Sequence, residues 1–181
     1  MLVNVEENKI IQTINLFHQC EGVTSDGKQL VINCRKARTI VNLNDMSQTK
    51  LKGVGETHIS LFQGNIYSTI YYENKICCYK ETGEPLWTFQ HKDIDCPEEL
   101  TLDKNGFVYI SSRGNNRIVV LSLDSKTCKT ILSEADGINY PVHIDIHRET
   151  GMMIVSSQIK QTKVKKDYSG DYYHTAFVYK I

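Results

Sequence analysis

No stretch of this chain is apolar over the roughly 20 residues that a membrane-spanning helix requires. The opening residues, MLVNVEENK, carry neither a basic n-region nor an apolar h-region. No secretory signal is therefore expected, and the expected compartment is the cytoplasm. Charge of one sign is also missing. Lys plus Arg and Asp plus Glu each number 21, for a net charge of zero and a pI of about 7.0. The overall basic excess that accompanies a general affinity for nucleic acid is absent. The six cysteines, Cys20, Cys34, Cys77, Cys78, Cys96 and Cys128, contain no CxxC, and the Cys77–Cys78 pair is adjacent rather than at chelating spacing. In a reducing compartment they are expected to be thiols that act as small buried hydrophobes. No GxSxG, HExxH, P-loop or EF-hand pattern occurs, so no contiguous motif marks catalysis and none implies a cofactor.

Helical periodicity is scarce as well. Alternating β-branched and aromatic runs take its place, and ten tyrosines lean the same way. Candidate strands include IIQTINL (10–16), KQLVIN (28–33), RTIVNL (38–43), HISLF (58–62), NIYSTIY (65–71), KICCYK (75–80) and LWTF (86–89). They continue with ELTLD (99–103), FVYISS (107–112), RIVVLSL (117–123), CKTIL (128–132), MMIVSS (152–157) and AFVYKI (176–181). Turn compositions such as SDG, QGN, KNG, RGNN and ETG separate them. The stretch MLVNV–EENK–IIQTINL reads as a hairpin.

One order of features recurs: a short strand, a Gly turn, a hydrophobic strand ending in small residues, a polar turn and another strand. Its clearest copy is CPEELTLDKNGFVYISSRGNNRIVVLSLD (96–124). Gly27, Gly64, Gly106 and Gly151 mark four copies spaced 37, 42 and 45 residues apart, a period that fits a propeller blade of four strands. Runs such as FVYI and MMIV have no polar side, so they are expected mid-blade with both faces covered by neighbouring blades. The fold class is therefore all-β: a β-propeller of four-stranded antiparallel blades in one domain, with units at about 10–45, 57–90, 96–132 and 140–181.

The 96–124 unit resembles the NHL repeat through Pro97, Leu102, Asp103, Gly106, Val108, Tyr109, Asn116, Arg117 and Ile118. Residues 57–83 have Asn74-Lys75-Ile76 in place of its Asn-Arg pair and lack the proline, and residues 20–45 have Glu21-Gly22 there. The divergent repeats look like the C-terminal propeller of tripartite-motif-like proteins, which the resemblance makes six-bladed. Four units then read as part of such a ring, or as a four-bladed ring. No RING, B-box or heptad run accompanies them, so ligase chemistry is not expected, and oligomerisation would depend on an absent coiled coil. The resemblance implies a non-catalytic scaffold that binds protein partners through loops on one face, with no membrane association.

Two stretches carry candidate sites. In PVHIDIH, His143, Asp145 and His147 alternate along one strand face and are candidate metal ligands, although repeat alignment matches them to Glu99, Thr101 and Asp103 and makes them first a polar inner strand. A lactonase-like reading, a metal-dependent hydrolase with a channel site, would use Glu99, Asp103 and Asp145. The Asp103 type of residue has a simpler role in supporting the turn before Gly106. The other stretch, residues 158–175, sets Lys160, Lys163, Lys165 and Lys166 beside Tyr168, Tyr172 and Tyr173, a mixture suited to a protein partner or to single-stranded RNA. Trp87 and Phe89 are expected to pack on an outer strand, and Arg117 to bridge blades.

Overall fold

Glycine turns and short apolar strands fold the chain into successive antiparallel meanders. The computed structural model describes residues 2–4, 6–14, 20–34, 37–52, 58–160 and 172–181. It opens with the expected hairpin, β1 (Leu2–Asn4) on β2 (Lys9–Gln12). The first blade is β3 (Cys20–Ser25), β4 (Gln29–Cys34), β5 (Ala37–Asn42) and β6 (Gln48–Lys52). The second is β7 (Ile59–Phe62), β8 (Asn65–Ile70), β9 (Lys75–Lys80) and β10 (Pro85–Phe89). The third is β11 (Pro97–Leu102), β12 (Val108–Ser112), β13 (Arg117–Leu121) and β14 (Cys128–Leu132). The fourth has three strands among the described residues, β15 (Ile144–His147), β16 (Met152–Lys160) and β17 (Tyr172–Lys180). The β-propeller expected from the repeats is the fold. Strand β6, QTKLK, was not anticipated: it is an exposed edge strand, and its lysines and glutamine give no hydrophobic alternation to read.

The marker glycines sit where the repeat requires them. Gly106 has φ +86°, and a Cβ there would lie 3.1 Å from the Phe62 ring, so both conformation and space demand glycine. Asp103 Oδ1 accepts the amides of Asn105 and Phe107 across the same turn, the supporting role expected of it.

Three apolar seams hold the blades together. Val31 and Ile40 meet Leu61 and Ile66 between the first and second blades. Tyr67, Ile76 and Cys78 meet Leu100, Val108 and Val119 between the second and third. Tyr109 and Ile118 meet Ile144, Met153 and Val155 between the third and fourth. Strand β12 is covered on both faces, as FVYI led one to expect for Val108, Tyr109 and Ile110. MMIV departs from that expectation. Met153 and Val155 are fully buried, but Met152 and Ile154 are 38% and 47% exposed on the opposite face, beside the 59% exposed Val178. Among the described residues no apolar seam forms against that face, and three seams between blades are seen.

Polar clasps join the blades at one end. Ser111 Oγ accepts the Glu99 amide at 2.9 Å, and Ser156 Oγ accepts the His143 amide at 2.8 Å. Their neighbours repeat the device: Ser112 takes the Asp95 amide and Ser157 takes the Asn139 amide, each at 2.8 Å. From the preceding blade, Asn74 Oδ1 accepts the Cys96 amide and Asn116 Oδ1 the Tyr140 amide, each at 2.8 Å. Asn74 and Asn116 close short 3-10 turns in the left-handed conformation. Arg117, the expected bridge, pairs with Asp93 in the segment joining the second and third blades.

Two stability predictions follow from this packing. Asn116→Ala loses the clasp and puts alanine, which tolerates the left-handed region less well than asparagine or glycine, at φ +55°; it should destabilise by about 2–3 kcal/mol in urea unfolding, against about 1 kcal/mol for Asn116→Gly. Equal losses for the two would assign the whole effect to the amide. Burial pushes the Cys78 and Cys128 thiols from 9.0 up to about 11. The unfolded chain therefore ionises first. The thiols' contribution is intact below pH 9 and is lost between about 9 and 11, so unfolding free energy should fall across that window, less steeply in Cys128→Ala.

Candidate functional site

The pairing register shows which residues of the four blades are equivalent. Three positions after Gly64, Gly106 and Gly151 stand Tyr67, Tyr109 and Ile154, and these oppose Ser60, Thr101 and Asp145 on the first strands. In the first blade Val31 opposes Thr24. Thr24, Ser60, Thr101 and Asp145 thus hold one position on four inner strands, and all four line one pocket of about 400 Å³. Two residues upstream, on one level at the clasped end, are Gly22, His58, Glu99 and His143.

This upper level carries the chemistry. Glu99 Oε2 lies 3.3 Å from His143 Nδ1 and accepts the Ile144 amide at 2.9 Å, so one carboxylate ties the third blade to the fourth. His58 Nε2 lies 3.6 Å from Glu98 Oε2, tying the second blade to the third. Glu98 Oε1 also accepts from Arg113 Nη1 at 2.9 Å, and this hydrogen bond holds the Arg113 guanidinium above its ordinary pKa. The His58 and His143 rings stand 6.5 Å apart, edge to face. Below them Thr101 Oγ1 donates to Asp145 Oδ1 at 3.3 Å. Val23, Ile59, Ile154 and Ala176 add apolar surface to a lining otherwise rich in polar side chains. Among the described residues that line the pocket there are two carboxylates, Glu99 and Asp145, and no lysine or arginine.

The His143 side chain is 66% exposed and Glu99 is 32% exposed, so the imidazole is open to a ligand while its carboxylate is partly sheltered. The carboxylate lies on the Nδ1 side of the imidazole, so Nε2 is the ring nitrogen that does not face Glu99.

The alternating triplet does not converge. His143 and Asp145 reach the pocket, but His147 Nδ1 faces Thr150, 3.1 Å from its Oγ1, outside the pocket lining. Among the described residues no group of three or more His, Cys, Asp or Glu side chains is arranged to hold a metal ion. Asp103 also lies outside the pocket, at its turn. Of the basic and aromatic stretch, Lys163, Lys165, Lys166 and Tyr168 lie outside the described residues. Lys160 pairs with Tyr172 at the end of β16 and β17, one step beyond Ile159 and Tyr173, so the two strands extend into what reads as loop in the sequence; the side chains of Lys160, Tyr172 and Tyr173 also lie outside what is described. Trp87 packs as expected, edge to face on Tyr67 at 5.9 Å. His58 and Glu98 were not singled out from sequence. The signal that finds His58 is its place six residues before Gly64, close to the seven and eight that separate Glu99 and His143 from their glycines.

No protein-family model matches the chain, and no curated protein does. The NHL and tripartite-motif resemblance therefore rests on its own residues, Pro97 to Ile118 above all. Solved structures share the fold. Virginiamycin B lyase from Staphylococcus aureus is 19% identical with a TM-score of 0.60, covering 93% of this chain and 58% of that one. Its catalytically inactive histidine-to-alanine form with quinupristin is 19% identical at TM-score 0.62, covering 94% and 59%. The computationally designed Ika4 protein is 10% identical at TM-score 0.62, covering 92% and 94%. The chain therefore spans less than two thirds of the lyase's length, and at these identities the likeness is one of fold.

These structures correct the expectation of a non-catalytic chain, because the propellers similar to it include enzymes. The physical reason is that an inner-strand site takes one or two residues from each blade. It leaves no contiguous motif, so the lack of one excludes nothing.

Proposed function

We propose that this propeller binds a small amphipathic ligand in its inner-strand pocket and acts on it by general acid–base catalysis, as a lyase. His143 is the base and Glu99 orients it. The observation that carries this reading is the Glu99–His143 pair at 3.3 Å in the lining of a pocket that mixes polar and apolar side chains. The similarity in fold to virginiamycin B lyase supports an elimination over other proton-transfer chemistry. In that step a C–H bond next to a carbonyl breaks and its proton passes to His143 Nε2. The freed electron pair forms the C=C bond, and the bond from the adjacent carbon to the leaving group breaks with its electrons going to that group. The carboxylates Glu99 and Asp145 favour a ligand that is neutral or carries an amine over an anionic one. Hydrolysis is the second reading, with the same pair activating water; the metal-dependent channel site read from the sequence would instead use Glu99, Asp103 and Asp145.

The loop-face binding of protein partners implied by the tripartite-motif resemblance, and RNA binding by residues 158–175, would rest on a stretch of which Lys163, Lys165 and Lys166 lie outside the described residues. The pocket has the more specific support.

Incubation with quinupristin and a panel of small esters and lactones tests the proposal by mass spectrometry. The native chain should convert at least one, kcat/KM should fall about 10²–10⁴-fold in His143→Ala and by less in Glu99→Gln, and melting temperatures should change little. A product carrying added water would assign hydrolysis instead. Conversion that His143→Ala leaves unchanged, or no conversion at all, would sink the reading.

A further inference from the structure

One pair of residues outside the pocket has a chemistry of its own. Cys20 opens β3 and Cys34 closes β4, and the two are directly opposed in the antiparallel register. Their Sγ atoms are 3.8 Å apart. Directly opposed residues on antiparallel strands have Cα atoms about 4.5–5.5 Å apart, inside the range a disulfide spans. A modest rotation about χ1 is then all that separates two thiols in contact from a bond. Accessibility divides the roles, since Cys20 is exposed and Cys34 is buried at 2%. The neighbouring backbone has room for a staple. The register shifts between Cys20 and Gly22, so the ladder is interrupted where β3 begins. The adjacent pair Cys77 and Cys78 offers no comparable geometry, because successive strand residues point to opposite faces.

We propose that Cys20 and Cys34 are a redox-closable pair, converted to an intrablade disulfide by exchange with a low-molecular-weight disulfide such as oxidised glutathione. The exposed Cys20 loses its proton and its sulfur attacks one sulfur of the oxidant, whose S–S bond breaks and releases a first thiol carrying that proton. The Cys34 thiol then loses its proton and attacks Cys20 Sγ in the mixed disulfide, releasing the second thiol. Two cysteine thiols are oxidised to one disulfide and one external disulfide is reduced to two thiols. The bond would fix the start of the inner strand that carries Val23 and Thr24 into the pocket, where Thr24 Oγ1 also accepts the Leu61 amide from the second blade at 3.2 Å. The inference stands independently of the acid–base reading.

The test equilibrates the full chain in glutathione buffers of graded redox potential, alkylates remaining thiols and maps them by mass spectrometry. The expected result is loss of two hydrogens, a Cys20–Cys34 linked peptide, and a melting temperature on the order of 5–10 °C higher than in the reduced chain. Cys20→Ser and Cys34→Ser should each abolish the linked peptide and the shift. Since Cys34 is buried and its variant could fail to fold, the exposed Cys20→Ser decides alone if necessary. Cys20 stopping as a glutathione mixed disulfide, oxidation linking other cysteines instead, both thiols staying alkylatable throughout, or a shift that survives in Cys20→Ser would each overturn the proposal.

Discussion

The interaction on which this propeller most depends is the clasp that holds the second-to-third and third-to-fourth blade connections between an asparagine behind and a serine pair ahead. Cys96 and Tyr140 adopt φ of +47° and +45°, and each precedes a proline. A left-handed residue with a side chain costs about 1–2 kcal/mol, and a following proline narrows the choices further. The chain holds these angles because both ends of the turn are bonded. Asn74 and Asn116 take the amides of the strained residues, while Ser112 and Ser157 take the amides one residue earlier. The connection is thereby turned sharply inward, and the next strand starts beside the axis. Had it continued outward, the apolar faces of β11 and β15 would not meet their neighbours, and the seams between blades would not form.

The same clasp builds the site. Ser111 and Ser156 bond the amides of Glu99 and His143, so the backbone that carries this pair is held at both residues. Glu99 then bonds the Ile144 amide, which adds a third constraint across the blade boundary. Positioning of this kind is where proton-transfer sites gain most over free imidazole. The fold contributes a rigid pair rather than an unusual residue.

Much of the fold was legible because its repeat is written in residues with strict backbone needs. Gly106 and its equivalents set the period, Asp103 announces the turn, and the serine pairs that the clasps use recur, Ser111-Ser112 at the end of β12 and Ser156-Ser157 within β16. Edge strand β6 was illegible, since QTKLK buries too little to show a pattern. The exposed face of MMIV was misread for a related reason: the strand's composition states that it prefers cover, but cover is supplied by another element whose presence no local pattern reveals. The site was half legible. The alternation of PVHIDIH marked the right strand, but led to His147, which points to its own turn, and away from Glu99, which is the true partner of His143.

That error shows how a propeller distributes function. Spacing of two along a strand puts side chains on one face, yet it moves them about 6.5–7 Å apart along the strand axis, from the clasped end toward the outer turn. Neighbours in chemistry are found instead by holding the level fixed and stepping from blade to blade. Thr24, Ser60, Thr101 and Asp145 form one level of the pocket, and His58, Glu99 and His143 occupy the level above it. Read along the chain, these are isolated residues some forty positions apart, each with an ordinary structural explanation. Read around the axis, two imidazoles flank a carboxylate on adjacent inner strands. The blade period that identifies the fold is therefore also the ruler for its chemistry, and a residue one level off the ring, such as His147, is excluded by geometry however well its type would serve.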